Sequence, residues 1–475
     1  MNSSLPPTAA PETASAPDRG AQPGRVHDLL GIGVGPLNLG LAALSEPIAD
    51  LDAVFLDERP GFDWHPGMML PSAHLQVPFL ADLVTLADPT SRYSFLNFLK
   101  ETGRIYRFYI RENFYPLRAE FNAYCRWVAE QLPGVRFGTR VTAVSHGGGL
   151  YTVTAEGPRG TETYRARRLV LGTGTAPWLP DGARHLPQAG GTALHNADYL
   201  ARRPELLTAG SVTVVGSGQS AAEVYLDLLQ NRAPDAELNW VTRSGRFFPL
   251  EYTKLTLEMT SPDYVDYFHA LPQATRDALV AEQKNLYKGI DSDLINQIYD
   301  TLYEQSVTGP PRTRLLTGVE LESAVWDPDA GIHRLRLRHG EQGSGFALDS
   351  EAVVLATGYA YREPEFLAGI SHRIRRDAAG RFDVSRSYGI GVEPGELFVQ
   401  NAELHTHGFV TPDLGMAAYR NSTILREILG FEYYPVEEST TFQEFGAPAP
   451  GAGGPGRPRT GGAAGTPEAR IGAGA

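Results

Sequence analysis

The chain has 475 residues, a formal net charge of −13 at pH 7, 42% hydrophobic and 20% charged residues, enough for two or three globular domains. The acidic balance argues against nucleic acid or an anionic membrane as partner, and no apolar run approaches the ~18 residues of a membrane span. Its single cysteine, Cys125, excludes an internal disulfide framework and a paired-cysteine redox centre, and fits a reducing cytoplasm.

Residues 1–26 are rich in Pro, Ala, Ser and Thr and lack an apolar core segment, so they read as a disordered N-terminus and not as a secretory signal. The fold is expected to begin at His27. His27 to Leu41, HDLLGIGVGPLNLGL, reads as a strand, a Gly33-x-Gly35-Pro36-x-Asn38 turn and a helix. Such a turn lets the backbone pass close to a pyrophosphate that sits on the helix N-terminus. Asn38 stands where a third glycine is usual. Asp57 and Glu58 end the following AVFLDE segment, where an acidic residue holds a ribose.

The irregular, aromatic- and proline-rich stretch after Asp57 reads as a long loop with short helices that covers a cofactor. Glu112 to Leu132 has the apolar spacing of a helix. Arg168 to Gly174, RLVLGTG, is a strand meeting a Gly-Thr-Gly turn expected near the first cofactor. A second copy of the nucleotide pattern starts at Ser211: SVTVVGSGQSAAEVYLDLL, with Gly216-x-Gly218-x-x-Ala221 opening a helix. Its second strand, Leu238 to Thr242, is followed by Arg243 and Arg246, which suit the 2′-phosphate of NADP(H) in place of the acid that favours NAD(H). Residues 251–311 read as a small helical substrate domain, and the chain returns to strands after Arg312. Glu351 to Tyr359, EAVVLATGY, is an apolar strand ending in Ala-Thr-Gly, read as the chain's return to the first domain. Residues 446–475 are a Gly/Pro/Ala tail without core-forming residues.

The expected fold class is therefore α/β, with two Rossmann-like dinucleotide-binding domains and a small helical domain. The first domain would hold FAD (27–180 and 350–445) and the second NADPH (181–250 and 312–349). His405 and His407 stand two apart in a strand-like run, a spacing sometimes used for metals, but without a third ligand; no metal is expected. Gly191-x3-His195-x3-Tyr199 is read as a linker.

GxGPxN near the start, FDWHPGM, LQVPFLADLV, YSFLNFL, VVGSGQSAAE, ATGY and HTHGFVTPDLGM together resemble the N-hydroxylating flavin monooxygenases of siderophore biosynthesis, the lysine/ornithine N-monooxygenase family. The resemblance covers roughly Asp28 to Phe445. FFPLEYTKLTLEMTSPDY and KGIDSDLINQIYDTLY are most similar to its cadaverine and putrescine N-hydroxylases of desferrioxamine-type pathways.

The resemblance implies that NADPH reduces FAD, that the reduced flavin and O2 form a C4a-hydroperoxide, and that a substrate amine takes its distal oxygen. It also implies a homotetramer. The implied flavin residues are Gly33, Gly35, Pro36, Asn38, Asp57, Trp64, His65, Gln76 and Asp413, with Gln76 beside the isoalloxazine; the alternative for Trp64 and His65 is core packing or a loop hydrogen bond. NADPH would use Gly216, Gly218, Gln219, Ser220, Glu223, Arg243 and Arg246. Substrate contacts would be Lys254 and Asn285, with Glu251 or Asp291 as charge partners of a distal ammonium, although a solvated helix face is the plainer role for the last two. Ornithine-hydroxylating relatives carry a lysine for the substrate carboxylate at the position of Ala81, and a serine at that of Ala417. A buried cation facing no carboxylate is costly, so Ala81 fits a diamine. The alternatives are lysine or ornithine hydroxylation with Lys254 or Lys284 holding the carboxylate, a plain NADPH-dependent flavin reductase, and a non-enzymatic dinucleotide sensor.

Overall fold

The computed structural model describes residues 25–447. The disordered ends read from the sequence fall almost wholly outside that range. The first strand begins at Val26 and Arg25 already pairs with Asp52, so the fold starts slightly before His27.

Two sheets, one mixed and one parallel, organise the chain. In the first, the order is Val135–Arg136, Ala53–Leu56, Val26–Ile32 and Gly160–Leu171, followed by antiparallel Leu150–Gly157 and Arg140–Gly147. Gly160–Leu171 serves two neighbours along one edge: its early residues pair with Leu150–Gly157, and Leu169, Val170 and Leu171 pair with Leu397–Val399. Leu29, Leu30, Leu169, Val170 and Leu171 are fully buried, as a parallel sheet covered on both faces requires.

The second sheet is parallel throughout, in the order Thr313–Leu316, Glu237–Val241, Ser211–Val215, Ala352–Leu355, Thr192–His195. This corrects the expected domain boundary, because Ala352–Leu355 does not return to the first sheet. It follows the antiparallel strands Val319–Asp327, Ile332–His339 and Gly345–Ser350 after Glu351 alone, which leaves no chain to cross between sheets. Its four residues are all buried, which suits an interior strand of either sheet, so the sequence pattern does not distinguish them. The chain returns through a short ribbon in which Tyr359–Ala360 pairs with Ala176–Pro177.

The helix expected over Glu112 to Leu132 forms over Arg118–Gln131. Glu112 is left-handed and Pro116 holds the preceding chain extended, which delays the start. The predicted helical region holds Lys254–Leu257, Pro262–Ala270, Gln273–Glu282, Asn285–Lys288 and Ser292–Thr308. Tyr264, Val265 and Phe268 pack on Phe409, Val410 and Met416, while Ile298 joins the core under Ala221 and Tyr225. The helical region thus bridges the second sheet and the C-terminal segment.

His27, His65, His74, His195, His269, His333, His405 and His407 are all held below the ordinary imidazole value, in each case chiefly by burial. The unfolded chain therefore takes up protons that the native state refuses once pH falls below ~6.5. Their contribution is complete above that pH and is lost on descending toward the folded values, about 4 for His65. Buried Asp82, Glu403 and Asp413 have raised values and act in the opposite sense from ~4 upward, but they are fewer. The thermal midpoint is expected to drop steadily from pH 7.5 to pH 5 in scanning calorimetry; a flat profile would count against this account.

Candidate active site

The first turn is built by close backbone crossing. Gly33 has φ +88°, and a methyl there would lie 2.4 Å from the Gly172 carbonyl oxygen, so the turn requires glycine. Gly35 is different: a methyl on it meets nothing within 4 Å. It caps Pro36–Ser45, a helix with no side-chain cap bond and no acidic residue in its first turn, so its leading N–H groups are left for a ligand. Asn38, in place of the third glycine, is buried. Its Nδ2 donates to the Gly33 carbonyl (2.7 Å) and its Oδ1 accepts from Gln400 Nε2 (2.7 Å). It braces the turn from behind.

Gly33, Gly35, Pro36 and Asn38 line an open cleft of about 1400 Å³ that runs past Trp64, His65, Thr173, Tyr359, Gln400 and Asn401. The Gly-Thr-Gly turn flanks it as expected. Thr173 Oγ1 and Gln400 Oε1 are buried with no partner among the described residues. A pyrophosphate-containing dinucleotide fits this donor set: free helix N–H groups, space over Gly35, and unpaired polar atoms along one wall. Trp64 puts its ring 5.4 Å from that of Phe121, and its backbone N–H donates to Asn122 Oδ1, so it both packs and lines the cleft. His65 has φ +50° and its ring lies 5.6 Å from that of Tyr359. Burial, then the charges of Arg118 and Arg59, push its imidazole down to about 4, which keeps it neutral at the cleft floor.

Asp57 does not match its expected ribose role. Its carboxylate accepts the Val34 N–H (2.7 Å), the Arg59 N–H (2.9 Å) and the Arg59 guanidinium (2.9 and 2.8 Å). These bonds lower its pKa against the opposing effect of burial and leave it as a brace. Asp57 still lines the cleft, beside the exposed Glu58.

The second turn repeats the first. A methyl on Gly216 would lie 2.1 Å from the Ala356 carbonyl oxygen, so the Ala-Thr-Gly segment crosses it as Gly172 crosses Gly33. Gly218 caps Gln219–Asn231, again with no side-chain cap bond and no acid in the first turn, which contains Ser220. Arg243 is exposed beyond the second strand. Arg246 instead lays its guanidinium 4.7 Å over the Phe248 ring. The sequence did not single out Lys288, whose carbonyl lies 3.5 Å from a methyl placed on Gly218. Burial, then Lys284 and Arg243, push its ammonium pKa down, so cations gather at this turn.

The two turns meet through half-buried polar contacts. Gln76 Nε2 donates to Gln219 Oε1 (3.1 Å), which also accepts the Asp291 N–H (2.9 Å). Gln219 Nε2 donates to Glu223, and Glu223 takes a bidentate pair from Arg118 (2.9 and 2.8 Å). Glu223 is therefore not free for a nicotinamide cofactor, contrary to expectation. Tyr252, which local patterning did not mark, donates its phenol to the Gln76 carbonyl.

The remaining candidates divide. Asp291 caps Ser292–Thr308 through the Asp293 and Leu294 N–H groups, and Glu251 is exposed and accepts from Thr256, so neither is poised for a ligand. Lys254 is exposed at the start of Lys254–Leu257; Asn285 is half-buried at the start of Asn285–Lys288. Ala81 is buried. Asp413 does not line the dinucleotide cleft; it starts the Leu414–Met416 turn, where its Oδ1 accepts the Gly415 N–H. His405 and His407 lie on a short helix, Leu404–His407, not on a strand. They bond the Phe382 and Arg386 carbonyls.

Residues 25–361 match the family model described as L-lysine 6-monooxygenase/L-ornithine 5-monooxygenase. A putrescine N-hydroxylase of Shewanella oneidensis is 52% identical over 427 residues, 88% of this chain and 84% of that protein. The cadaverine monooxygenase of the desferrioxamine biosynthetic pathway of Erwinia amylovora, solved with FAD bound, is 52% identical, with a TM-score of 0.86 over 90% of this chain and 100% of that one. An ornithine N-hydroxylase of Kutzneria sp. 744, solved with reduced FAD, NADP+ and L-ornithine, is 30% identical, with a TM-score of 0.78 over 86% of this chain and 99% of that one.

Proposed function

Because the chain belongs to the L-lysine 6-monooxygenase/L-ornithine 5-monooxygenase family, we propose that it is an FAD- and NADPH-dependent N-monooxygenase that hydroxylates one primary amine of cadaverine or putrescine for siderophore biosynthesis. The observation that carries this reading is the junction of the two nucleotide turns: Gln76, from the loop covering the first cleft, meets Gln219, at the head of the second nucleotide helix, at 3.1 Å. Ala81, in the same loop, supplies no cation for an amino-acid carboxylate.

Gly33, Gly35, Pro36 and Asn38 hold the FAD pyrophosphate, with Trp64, His65 and Gln76 along the flavin ring. Gly216, Gly218, Gln219, Ser220 and Arg243 hold NADPH. Bound FAD, reduced by NADPH, supplies the means of splitting O2, placing one oxygen atom on the amine nitrogen and the other in water. The chain's own task is to keep the reacting amine neutral and dry. A free alkylamine titrates near ~10.4, and desolvation in the closed site favours its uncharged form. His65, held neutral, adds no positive charge and no acidic proton beside it.

The enzyme works in the cytoplasm as a homotetramer. Supporting this, no helix among the described residues is long and apolar enough to cross a membrane, and Cys125 is free and buried. Tyr299, Tyr303 and Val307 expose one apolar face of Ser292–Thr308, as a subunit contact would use.

The test is product formation. The FAD-loaded protein is given NADPH and, separately, cadaverine, putrescine, lysine and ornithine, and hydroxylamines are detected by mass. Hydroxylation of either diamine, with none of the amino acids, is expected. Turnover of lysine or ornithine would move the substrate assignment, and NADPH oxidation without any hydroxylamine would make the protein a flavin reductase.

A further inference from the structure

A second cavity lies at the end of the first sheet remote from the Gly-rich turn. It holds about 120 Å³ and shares no lining residue with the dinucleotide cleft. It opens where Val26–Ile32 and Ala53–Leu56 begin and beside Val135–Arg136, so three neighbouring strands meet at it. Leu51, Phe55 and Leu132 give it apolar walls, while Arg25, His27, Asp52 and Arg136 give it polar ones.

Its charges do not cancel. Arg25 forks onto Asp52 (2.8 and 2.7 Å), and Glu46, at the rim, pairs with Arg92 (2.9 Å). Arg136 pairs with no carboxylate among the described residues. Its Nη1 donates to the Pro133 and Val135 carbonyls (2.7 and 2.9 Å), which fixes the guanidinium and leaves its Nε–Nη2 edge without a partner among them. That edge is a fork able to grip a carboxylate through two parallel bonds. His27 is only 6% exposed, and its buried Nδ1 stands 3.1 Å from Asp52 Oδ2 without the alignment of a hydrogen bond. Burial, helped by Arg25 and Arg136 and opposed by Asp52, holds its imidazole below the ordinary value. With Arg25 spent on Asp52, Glu46 on Arg92 and His27 neutral, the cavity keeps the single positive charge of Arg136.

We infer that this cavity is a separate ligand site for a small aliphatic carboxylate, its head on the Nε–Nη2 edge of Arg136 and its hydrocarbon against Leu51 and Leu132. One excess charge matches a carboxylate and falls short of a phosphate dianion, and the apolar walls reward a short chain. The site is remote from both Gly-rich turns, so its occupant is an effector of the fold and takes no part in the chemistry. By binding only the folded chain it stabilises the strand that leads into Gly33.

The experiment titrates butyrate into the full-length, FAD-loaded enzyme by calorimetry at constant ionic strength, with NADP+ present to fill the second nucleotide turn, and follows the thermal midpoint alongside. Butyramide, the neutral analogue, and inorganic phosphate are run in parallel. Saturable binding of one butyrate and a rising midpoint are expected, with butyramide roughly tenfold weaker. Arg136→Gln should weaken butyrate roughly tenfold with the flavin spectrum unchanged, and Arg136→Lys should recover part of the loss. Leu51→Glu, which fixes a carboxylate at the cavity wall, should abolish binding, and it keeps the test decisive should Arg136→Gln fail to fold. Butyrate bound equally by wild type and Arg136→Gln, or no better than butyramide, overturns the inference, as does a wild type that binds no butyrate. Phosphate held more tightly than butyrate through Arg136 overturns the carboxylate assignment.

Discussion

Gly35→Asp is expected to yield a folded protein that no longer carries flavin. The two glycines of the first turn do different work. At Gly33 the backbone is left-handed and a side chain would meet the Gly172 carbonyl at 2.4 Å, so a substitution there strains the fold itself. At Gly35 a side chain meets nothing within 4 Å and projects into the space where a pyrophosphate must lie. An aspartate adds a carboxylate facing phosphates in a partly dry cleft, and it caps the helix N–H groups that the phosphates need. FAD affinity should fall by roughly 10²-fold or more. Far-ultraviolet circular dichroism should match the wild type while the purified protein is colourless and resists reconstitution. A yellow Gly35→Asp protein with normal affinity would show that the cofactor does not approach this turn.

The second large effect is on stability. Arg118 and Glu223 have side chains only 12% and 5% exposed, and they tie the long cofactor loop, through the Met68 carbonyl, to the second nucleotide helix. Arg118→Leu strands a buried carboxylate with only the Gln219 amide beside it, which costs about 3–5 kcal/mol. Pairing it with Glu223→Leu removes the stranded charge and should recover most of that loss. Urea unfolding of the two single variants and the double variant measures the coupling; a double variant no more stable than Arg118→Leu would refute it. Because Arg118 also helps hold His65 down, His65 should titrate at higher pH in Arg118→Leu.

What the sequence made legible was local and repeated. Each Gly-rich turn has a strand before it, a helix after it and a late Gly- or Ala-containing segment crossing it, and periodicity with turn chemistry reveals all three. Asn38 was visible as a departure, but its purpose, a brace to Gly33 and Gln400, depends on a partner more than three hundred residues away. The same holds for Arg118 with Glu223, Tyr252 with Gln76, and the Arg59 forks that consume Asp57: nothing local predicts which side chain a buried acid will find. Ala352–Leu355 shows its strand pattern in the sequence but not the sheet it joins, since four buried apolar residues fit either. His405 and His407 misled because their two-residue spacing mimics strand alternation, while the real constraint is a one-turn helix whose imidazoles bond backbone carbonyls.

The paired Ala176–Pro177 and Tyr359–Ala360 ribbon has a consequence for engineering. The chain departs from the first sheet and comes back to it at adjoining points, with the Trp178 N–H bonded to the Gly358 carbonyl at the threshold. Residues 178–358 are therefore a cassette with neighbouring ends. Chimeras that graft one homologue's nicotinamide unit onto another's flavin unit need only two junctions, side by side in space, and both must keep the close crossings of Gly172 over Gly33 and of Ala356 over Gly216.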